Sequence, residues 1–344
     1  MKFGIRLIEY LGPTQELLRL AVRAEAAGVD SVWFPHDTFM RNTWVLTSAA
    51  ATLTKRVQLG GVAINPYTTD PCEIATYAAT LDELSGGRCI IGLGMHTEQM
   101  VEWTGRDASD YLERTREAVD LLRRLLRGEI ASSNGRCFQW TDQCYLRFKP
   151  LRAQIPIYVS SFGADFHELA GEIGDGAQPM ITPPASARNM TAAIERGITR
   201  ANRKRSSFVI SGCAWLSLSA GRKAAAERMR HMVAYFGSYL EEQALAAVGL
   251  ARSDFAPIKA RIDAGDFAGA RALVTDDMLK LGIVGTPKDV IRQIEDLAAA
   301  GIDEAGLGGP LGPDPDEAIE LLGREVMPYF RSAGGRHEPS VRSP

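Results

Sequence analysis

Residues 155–176 read IPIYVSSFGADFHELAGEIGDG. An apolar, β-branched run (Ile155–Val159) gives way to the polar turn Ser160-Ser161-Phe162-Gly163-Ala164, then to a helix beginning near Asp165, and a further strand opens at Gly176. This is one strand–helix–strand unit, the repeating element of parallel α/β folds. Outward from it the same rhythm runs through most of the chain. Strands are predicted at Lys2–Ile8, Ser31–Phe34, Val57–Ile64, Cys89–Leu93, Ile155–Val159, Gly176–Pro179, Phe208–Leu218 and Glu304–Leu307. They are mostly continuous apolar runs, as strands covered on both faces require.

Helices fill the gaps. Thr14–Ala27 carries Leu17, Leu18, Ala21 and Val22 at helical spacing and stops at Gly28; Pro71–Leu84 opens on proline, which suits a first turn. Tyr111–Leu126, Pro287–Ala300 and Asp316–Phe330 follow the same logic, and a short helix is expected at Thr97–Trp103. Eight units without a glycine-rich dinucleotide turn predict a (β/α)8 barrel, because Gly92-Leu93-Gly94 lacks the third glycine of a Rossmann turn. Two segments break the rhythm. A hairpin is expected near 132–148 with Asn134-Gly135 at its turn, and a helical insertion near 221–281 with joints at Phe255–Lys259 and Gly265–Gly269. Residues 1–331 are read as one domain and 332–344 as a disordered tail, given its Gly, Ser, Pro and Arg content.

The 344 residues are 45% hydrophobic and 24% charged with a formal net charge of −3, which speaks against a nucleic-acid surface. Five cysteines without a C-x-x-C pair point to reduced thiols in the cytoplasm; Cys137 and Cys144 flank the hairpin but are not expected to bond. The N-terminus reads as a strand rather than a signal peptide, and no apolar run reaches membrane-spanning length. His, Cys, Asp and Glu show no metal-ligand spacing, so no metal is expected. Ser160 and Ser161 lack the surroundings of a nucleophile elbow. His167 and His231 read as helix-surface residues.

Barrel chemistry sits at the C-terminal ends of the strands. That rule selects Glu9 and Tyr10 after the first strand, His36-Asp37 after the second, Gly60-Gly61-Val62-Ala63-Ile64-Asn65 at the third, and Met95-His96-Thr97-Glu98 after the fourth. It also selects Ser160–Ala164 after the fifth and Met180 after the sixth. The imidazole of His36 titrates near neutrality and suits proton transfer, with Asp37 to orient it; alternatively Asp37 caps a short helix and His36 packs on the rim. Glu98 is a candidate proton donor, or with Thr97 only a helix start where an acid suits the dipole. Ser160–Ala164 reads either as an anion site at a helix N-terminus or as a plain cap. Gly60 and Gly61 would let a strand bend at the barrel rim.

LGGVAINPYTTDP (59–71), ELSGGRCIIGLGM (83–95), the stretch 155–176 and GTPKDVIRQIEDLAAAGIDE (285–304) together resemble the luciferase-like superfamily, and within it the methylene-tetrahydromethanopterin reductase type. The resemblance runs from residue 1 to about 330 and is weakest in 221–281. It implies an oxidoreductase using the deazaflavin coenzyme F420, with FMN as the alternative cofactor. It also implies a non-prolyl cis peptide at Gly61–Val62 behind the cofactor ring, and a phosphate at Ser160, Ser161, Gly163 and Ala164. Val62, Ala63, Asn65 and Thr97 fall in the same cofactor set. Relatives commonly read Asp-His where this chain has His36-Asp37, and glycine where it has His96. Glu9, Met40, Trp44, Met95, His96 and Met180, with the insertion, then shape the substrate pocket; a methionine-lined wall suits an apolar substrate, and methionine is also ordinary core filler. The functions implied are an F420-dependent reductase or dehydrogenase acting on a small molecule, a reduced-FMN monooxygenase, or a non-catalytic flavin binder, each in a homodimer.

Overall fold

Helix limits follow the residues that set them. In α1 (Thr14–Ala27) the chain leaves through Gly28 at φ 98°, and in α3 (Pro71–Ser85) Pro71 opens the first turn while Asp70 accepts from the backbone N–H of Cys72. α2 (Thr43–Leu53) begins on Asn42, whose side chain accepts from the N–H groups of Trp44 and Val45. α4 (Tyr111–Leu126), α5 (Ala164–Ile173), α6 (Ala187–Arg200), α7 (Arg222–Phe236), α8 (Pro287–Ala299) and α9 (Pro315–Leu321) complete the main helices. These come from a computed structural model that describes residues 1–95, 101–160, 162–240 and 242–332. The expected tail therefore lies almost wholly outside the described residues, as does most of the expected helix Thr97–Trp103.

Eight parallel strands close on themselves: β1 (Lys2–Arg6), β2 (Ser31–Pro35), β3 (Gln58–Ile64), β4 (Cys89–Gly94), β5 (Ile157–Ser160), β6 (Gly176–Ala177), β7 (Val209–Leu218) and β8 (Glu304–Leu311). β8 returns to β1 with Lys2 opposite Glu304 and Arg6 opposite Gly308, so the expected (β/α)8 barrel is what forms. β1 and β6 are shorter than expected. A short strand absent from the sequence reading, Ile283–Gly285, pairs with the far end of β7. Within α1 the buried face is Leu17, Leu20, Ala21 and Ala24, and Val22 is exposed instead of buried, because the stripe that meets the barrel is one position round from the one expected.

The strands alternate between an outer face packed under the helices and a lumen filled in layers. Phe3, Ile5 and Leu7 join the large outer core. Gly4 and Arg6 face inward. At the floor the carboxylate of Glu304 accepts from Ser31 Oγ at 3.1 Å and Ser211 Oγ at 2.9 Å, and a side chain on Gly4 would collide with it. Above lie Trp33 and Tyr158, ring centroids 5.9 Å apart, with Val62, Ala63 and Ile90. Gly60 leaves room for this layer, since a Cβ there would fall 2.4 Å from the Trp33 ring.

The insertion after β7 has a core of its own, in which Trp215 of β7 meets Met229, Val233, Phe255, Ile258 and Leu281. Its helix Ala256–Asp263 runs through the stretch expected as a joint at Phe255–Lys259; that joint lies earlier, in the turn Arg252–Phe255. The hairpin forms as two short strands, Ser133–Asn134 and Gln139–Trp140. It is fastened to the barrel by Glu117, which accepts from the backbone of Arg136, Cys137 and Phe138. Cys137 and Cys144 are free thiols.

Candidate active site

The C-terminal ends of β1 to β8 form one face, and most of the candidate residues gather there. β3 carries the distinguishing feature. Its ladder with β4 is in register through Gly61 opposite Ile91 and resumes at Ile64 opposite Leu93, so Val62 and Ala63 bulge. The peptide between Val62 and Ala63 is cis. This corrects the expected position, Gly61–Val62, by one bond. Gly61 is still held in the ladder, opposite Phe34 of β2 and Ile91 of β4, so the irregularity falls on the next peptide. Gly61 is needed for another reason: a Cβ there would sit 2.9 Å from Thr43 Oγ1, which donates to the carbonyl of Phe34 and anchors the start of α2. Asn65 closes the exit from β3 by accepting from the N–H of Tyr67 at 2.9 Å.

β2 delivers His36 and Asp37 into a recess of about 350 Å³, whose walls include Met40, Trp44, Thr69 and Tyr77. His36 is held through its backbone N–H, which donates to the carbonyl of Val62 at 2.7 Å and so links it to the bulge. Its Nδ1 is buried without a hydrogen-bond partner. Burial pushes the His36 imidazole below its ordinary pKa, against the opposing pull of Asp37 and a backbone hydrogen bond, so the ring is neutral at pH 7. Trp44, 7% exposed, lies 5.0 Å from the Tyr77 ring and its Nε1 is also unpartnered. Glu9 accepts from the N–H of Arg41 at 3.2 Å; burial and the charge of Asp37 push its carboxyl up, with those backbone bonds opposing.

The β5–α5 junction departs from expectation in one residue. Ser160 is fully buried and donates its hydroxyl to the carbonyl of Gln178 at 2.9 Å, which commits its one proton to the barrel interior instead of to an anion. The backbone remains suited to one. α5 has no side-chain cap on its N-cap residue, and Gly163 enters it at φ 93°; the first N–H groups of a helix have no intrahelical acceptor. Asp165 in the same turn weakens that attraction. Met95 is buried at the end of β4 and packs with Val101, Ala108 and Tyr67. Met180 is buried at the end of β6, 3.3 Å from Ser160 Oγ. Met40 is 49% exposed on the rim. His96, Thr97, Glu98 and Ser161 lie outside the described residues.

Arg6 at this face escaped the sequence reading, and Tyr10 entered it only as a strand-end residue. Arg6 projects from β1 into the top of the lumen, where Nη1 donates to Cys213 Sγ at 2.8 Å and to Met180 Sδ at 3.4 Å. Its signal was alternation: a charge two places on from Gly4, inside an apolar strand, belongs to the same inward face. Tyr10, after β1, donates its hydroxyl to Met232 Sδ of α7 at 3.3 Å. His167 is buried on α5 instead of exposed, because that face of the helix packs on α6. Backbone strain also gathers on the C-terminal side of the barrel: Phe39, Ile181 and Leu311 have positive φ at 68°, 49° and 63°, in the turns after β2 and β6 and at the end of β8. Among the described residues no His, Cys, Asp and Glu group has a metal-binding arrangement, and no helix is long and apolar enough to cross a membrane.

The profile of the luciferase-like monooxygenases matches residues 2–304. The chain is 31% identical to a 5,10-methylenetetrahydromethanopterin reductase of Archaeoglobus fulgidus, over 96% of this chain and 100% of that protein. It is 26% identical to an F420-dependent glucose-6-phosphate dehydrogenase of Amycolatopsis mediterranei, over 95% and 97% of the two chains. The solved coenzyme F420-dependent tetrahydromethanopterin reductase of Methanopyrus kandleri superposes with a TM-score of 0.90 at 27% identity, covering 96% of this chain and 99% of that one.

Proposed function

This chain belongs to the luciferase-like monooxygenase family, and we propose that it works as a coenzyme F420-dependent oxidoreductase, moving a hydride between the deazaflavin C5 and a small organic substrate. The observation that carries this reading is a seat of the right chemistry at both ends. The Val62–Ala63 bulge lies toward the C-terminal end of β3, and the N-terminus of α5 opens at Gly163 without a side-chain cap. The first suits the face of a flat ring and the second a phosphate. Asn65, beside the bulge, and Ala164, at the helix start, belong to the same cradle. Similarity over nearly the whole chain to proteins named for this coenzyme supports the choice over FMN.

When bound, the coenzyme supplies a two-electron carrier that gives or takes hydride. The protein's own residues do the rest. The Val62–Ala63 bulge would back the ring, and the N–H groups at the start of α5 would hold the phosphate. His36, neutral and with a free Nδ1, would take or give the proton that accompanies the hydride, while Asp37 sets the field around it. Trp44 and Tyr77 wall the recess. We further take residues 1–331 as one domain, the reduced thiols as a sign of a cytoplasmic setting, and the exposed apolar side chains Val45, Leu53, Tyr77 and Leu84 of α2 and α3 as the face of a homodimer.

The test is titration of the purified protein with F420 and with FMN, each oxidised and reduced, followed by ring fluorescence and absorbance. Tight binding of F420 with weak binding of FMN is expected. Preference for reduced FMN with oxygen uptake would make the protein a monooxygenase, and binding of neither would remove the cofactor assignment.

A further inference from the structure

On the β1–β7–β8 side of the mouth, strong donors meet only weak acceptors. Arg6 is 7% exposed, gives Nη1 to a thiol and a thioether, and has no partner for Nε. Tyr10 gives its hydroxyl to a thioether. Helix α7 adds a third donor. Arg228, Met232 and Phe236 are spaced four apart and share one helix face. Met232 touches the Tyr10 hydroxyl, and the Phe236 ring lies 6.3 Å from the Tyr10 ring, so this is the face turned toward the mouth. Arg228 sits on it one turn before Met232, half-buried, with Nε buried and unpartnered. Met232 also packs, with Met229 and Val233 of the adjoining stripe, in the core of the insertion, so Arg228 lies at the edge of that core.

Sulfur is a poor acceptor, and a guanidinium withdrawn from water without an oxygen partner is costly. Among the described residues neither Arg6 nor Arg228 has a carboxylate within ion-pair distance, although Asp37 lies near enough to act on Arg6 through its field. The buried Asp82, by contrast, takes two bonds from Arg152 and one from the N–H of Cys89. Arg6 and Arg228 each keep an unpartnered Nε, both act on Tyr10 through their charge, and the Tyr10 hydroxyl is spent only on a thioether, a donor set that suits an oxyanion.

We propose that Arg228 and Tyr10, with Arg6 beneath them, receive an oxyanion carried by the substrate, a carboxylate or a phosphate group. The inference rests on the reading of the mouth as an oxidoreductase site and adds its substrate class: an organic acid or phosphate ester whose reacting carbon faces the bulge and whose anionic end faces the insertion. Held at that end by α7, the substrate would be oriented without any contact to the reacting atoms.

The test is calorimetric titration of the full chain with acetate, inorganic phosphate and neutral acetamide, each with and without saturating F420, which occupies the α5 N-terminus and removes it as a competing anion site. Acetate or phosphate is expected to bind in the presence of F420 while acetamide does not, and the tighter anion identifies the group. Arg228→Gln is expected to weaken that anion about tenfold and Tyr10→Phe about threefold, with partial recovery in Arg228→Lys. F420 affinity should be unchanged in all three. Acetamide binding as well as the anions, or anion affinity unaltered by both Arg228→Gln and Tyr10→Phe, would overturn the proposal. Should F420 bind to no form while the anion effects hold, the cofactor reading falls and the anion site stands; with F420 bound and anion affinity insensitive to the variants, the anion site alone falls.

Discussion

Gly92 of β4 stands directly against Val62 of β3. A Cβ at Gly92 would lie 2.8 Å from the Val62 Cβ and Cγ2 and 2.8 Å from the Gly61 carbonyl oxygen. The absent side chain of one strand is thus the space in which the bulge of its neighbour sits. Gly94, two places on, does the same for β5, since a Cβ there would fall 1.9 Å from the Ser160 carbonyl oxygen. Gly92→Ala should therefore push Val62 outward and weaken F420 binding about tenfold, while leaving the helices intact. Fluorescence titration alongside far-ultraviolet circular dichroism measures both; unchanged affinity would show that the bulge does not seat the ring.

His36 carries the proton in the proposed reaction. His36→Asn should lower kcat by about 10² to 10⁴ with little change in F420 affinity. Because burial holds its pKa below the ordinary 6.5, the imidazole stays neutral down to mildly acidic pH. In the direction where it accepts the proton, kcat/KM of the wild type should keep its plateau down to below pH 6.5 and fall on the acid side, a limb that His36→Asn removes. A limb above pH 7, or one that persists in the variant, assigns the proton to another group.

Asp110 ties the start of α4 to the exit of β3 and to the hairpin. It accepts from Arg114, from the Tyr67 hydroxyl and, at 3.3 Å, from Cys137 Sγ. Burial works to raise its pKa, but these donors hold it lowered to about 2, against 3.8 ordinarily. A carboxylate depressed in the folded state contributes stability that is complete above its unfolded pKa and disappears as pH falls through the folded one. Asp110→Asn should thus cost about 2 kcal/mol at pH 7 and progressively less as pH falls from about 4 to 2. Urea melts of both proteins across that range read this directly; a cost independent of pH would mean that packing, not charge, is lost.

Glu304 has the opposite sign. Burial raises its carboxyl at the floor of the lumen, with the hydroxyls of Ser211 and Ser31 opposing. A carboxyl raised in the folded state is most favourable below its unfolded pKa, and stability declines as pH rises through the folded value. Glu304→Gln keeps the acceptor oxygen for both serines and removes the charge. Its melting temperature should match or exceed that of the wild type at pH 8 and show less decline from pH 5 to pH 8. A large loss of stability at both pH values would show that the ionised carboxylate is what the floor requires.

Most of the barrel was legible in local patterns. Short apolar runs separated by helical periods define parallel strands, and Gly28 and Pro71 mark helix ends by backbone chemistry that needs no tertiary partner. The strand ends then named the face where His36, Asp37, Val62 and Ala63 meet. The short strand Ile283–Gly285 escaped because three residues carry no period, and it is a strand only because β7 runs on far enough to pair with it. Ser160 was misjudged because nothing local distinguishes a hydroxyl facing solvent from one facing Gln178.

The sequence by itself determined the order of strands and helices, the closed-barrel class and the face that bears the site. Periodicity and turn residues act over a few positions, and eight such units have few ways to cover their strands. Only the tertiary structure decided which peptide bulges, that Arg6 points into the lumen, and that Arg228 of the insertion comes to lie beside Tyr10. Those outcomes depend on contacts between strands and helices far apart in the chain, where the space left by one residue, such as Gly92, is taken by another, such as Val62.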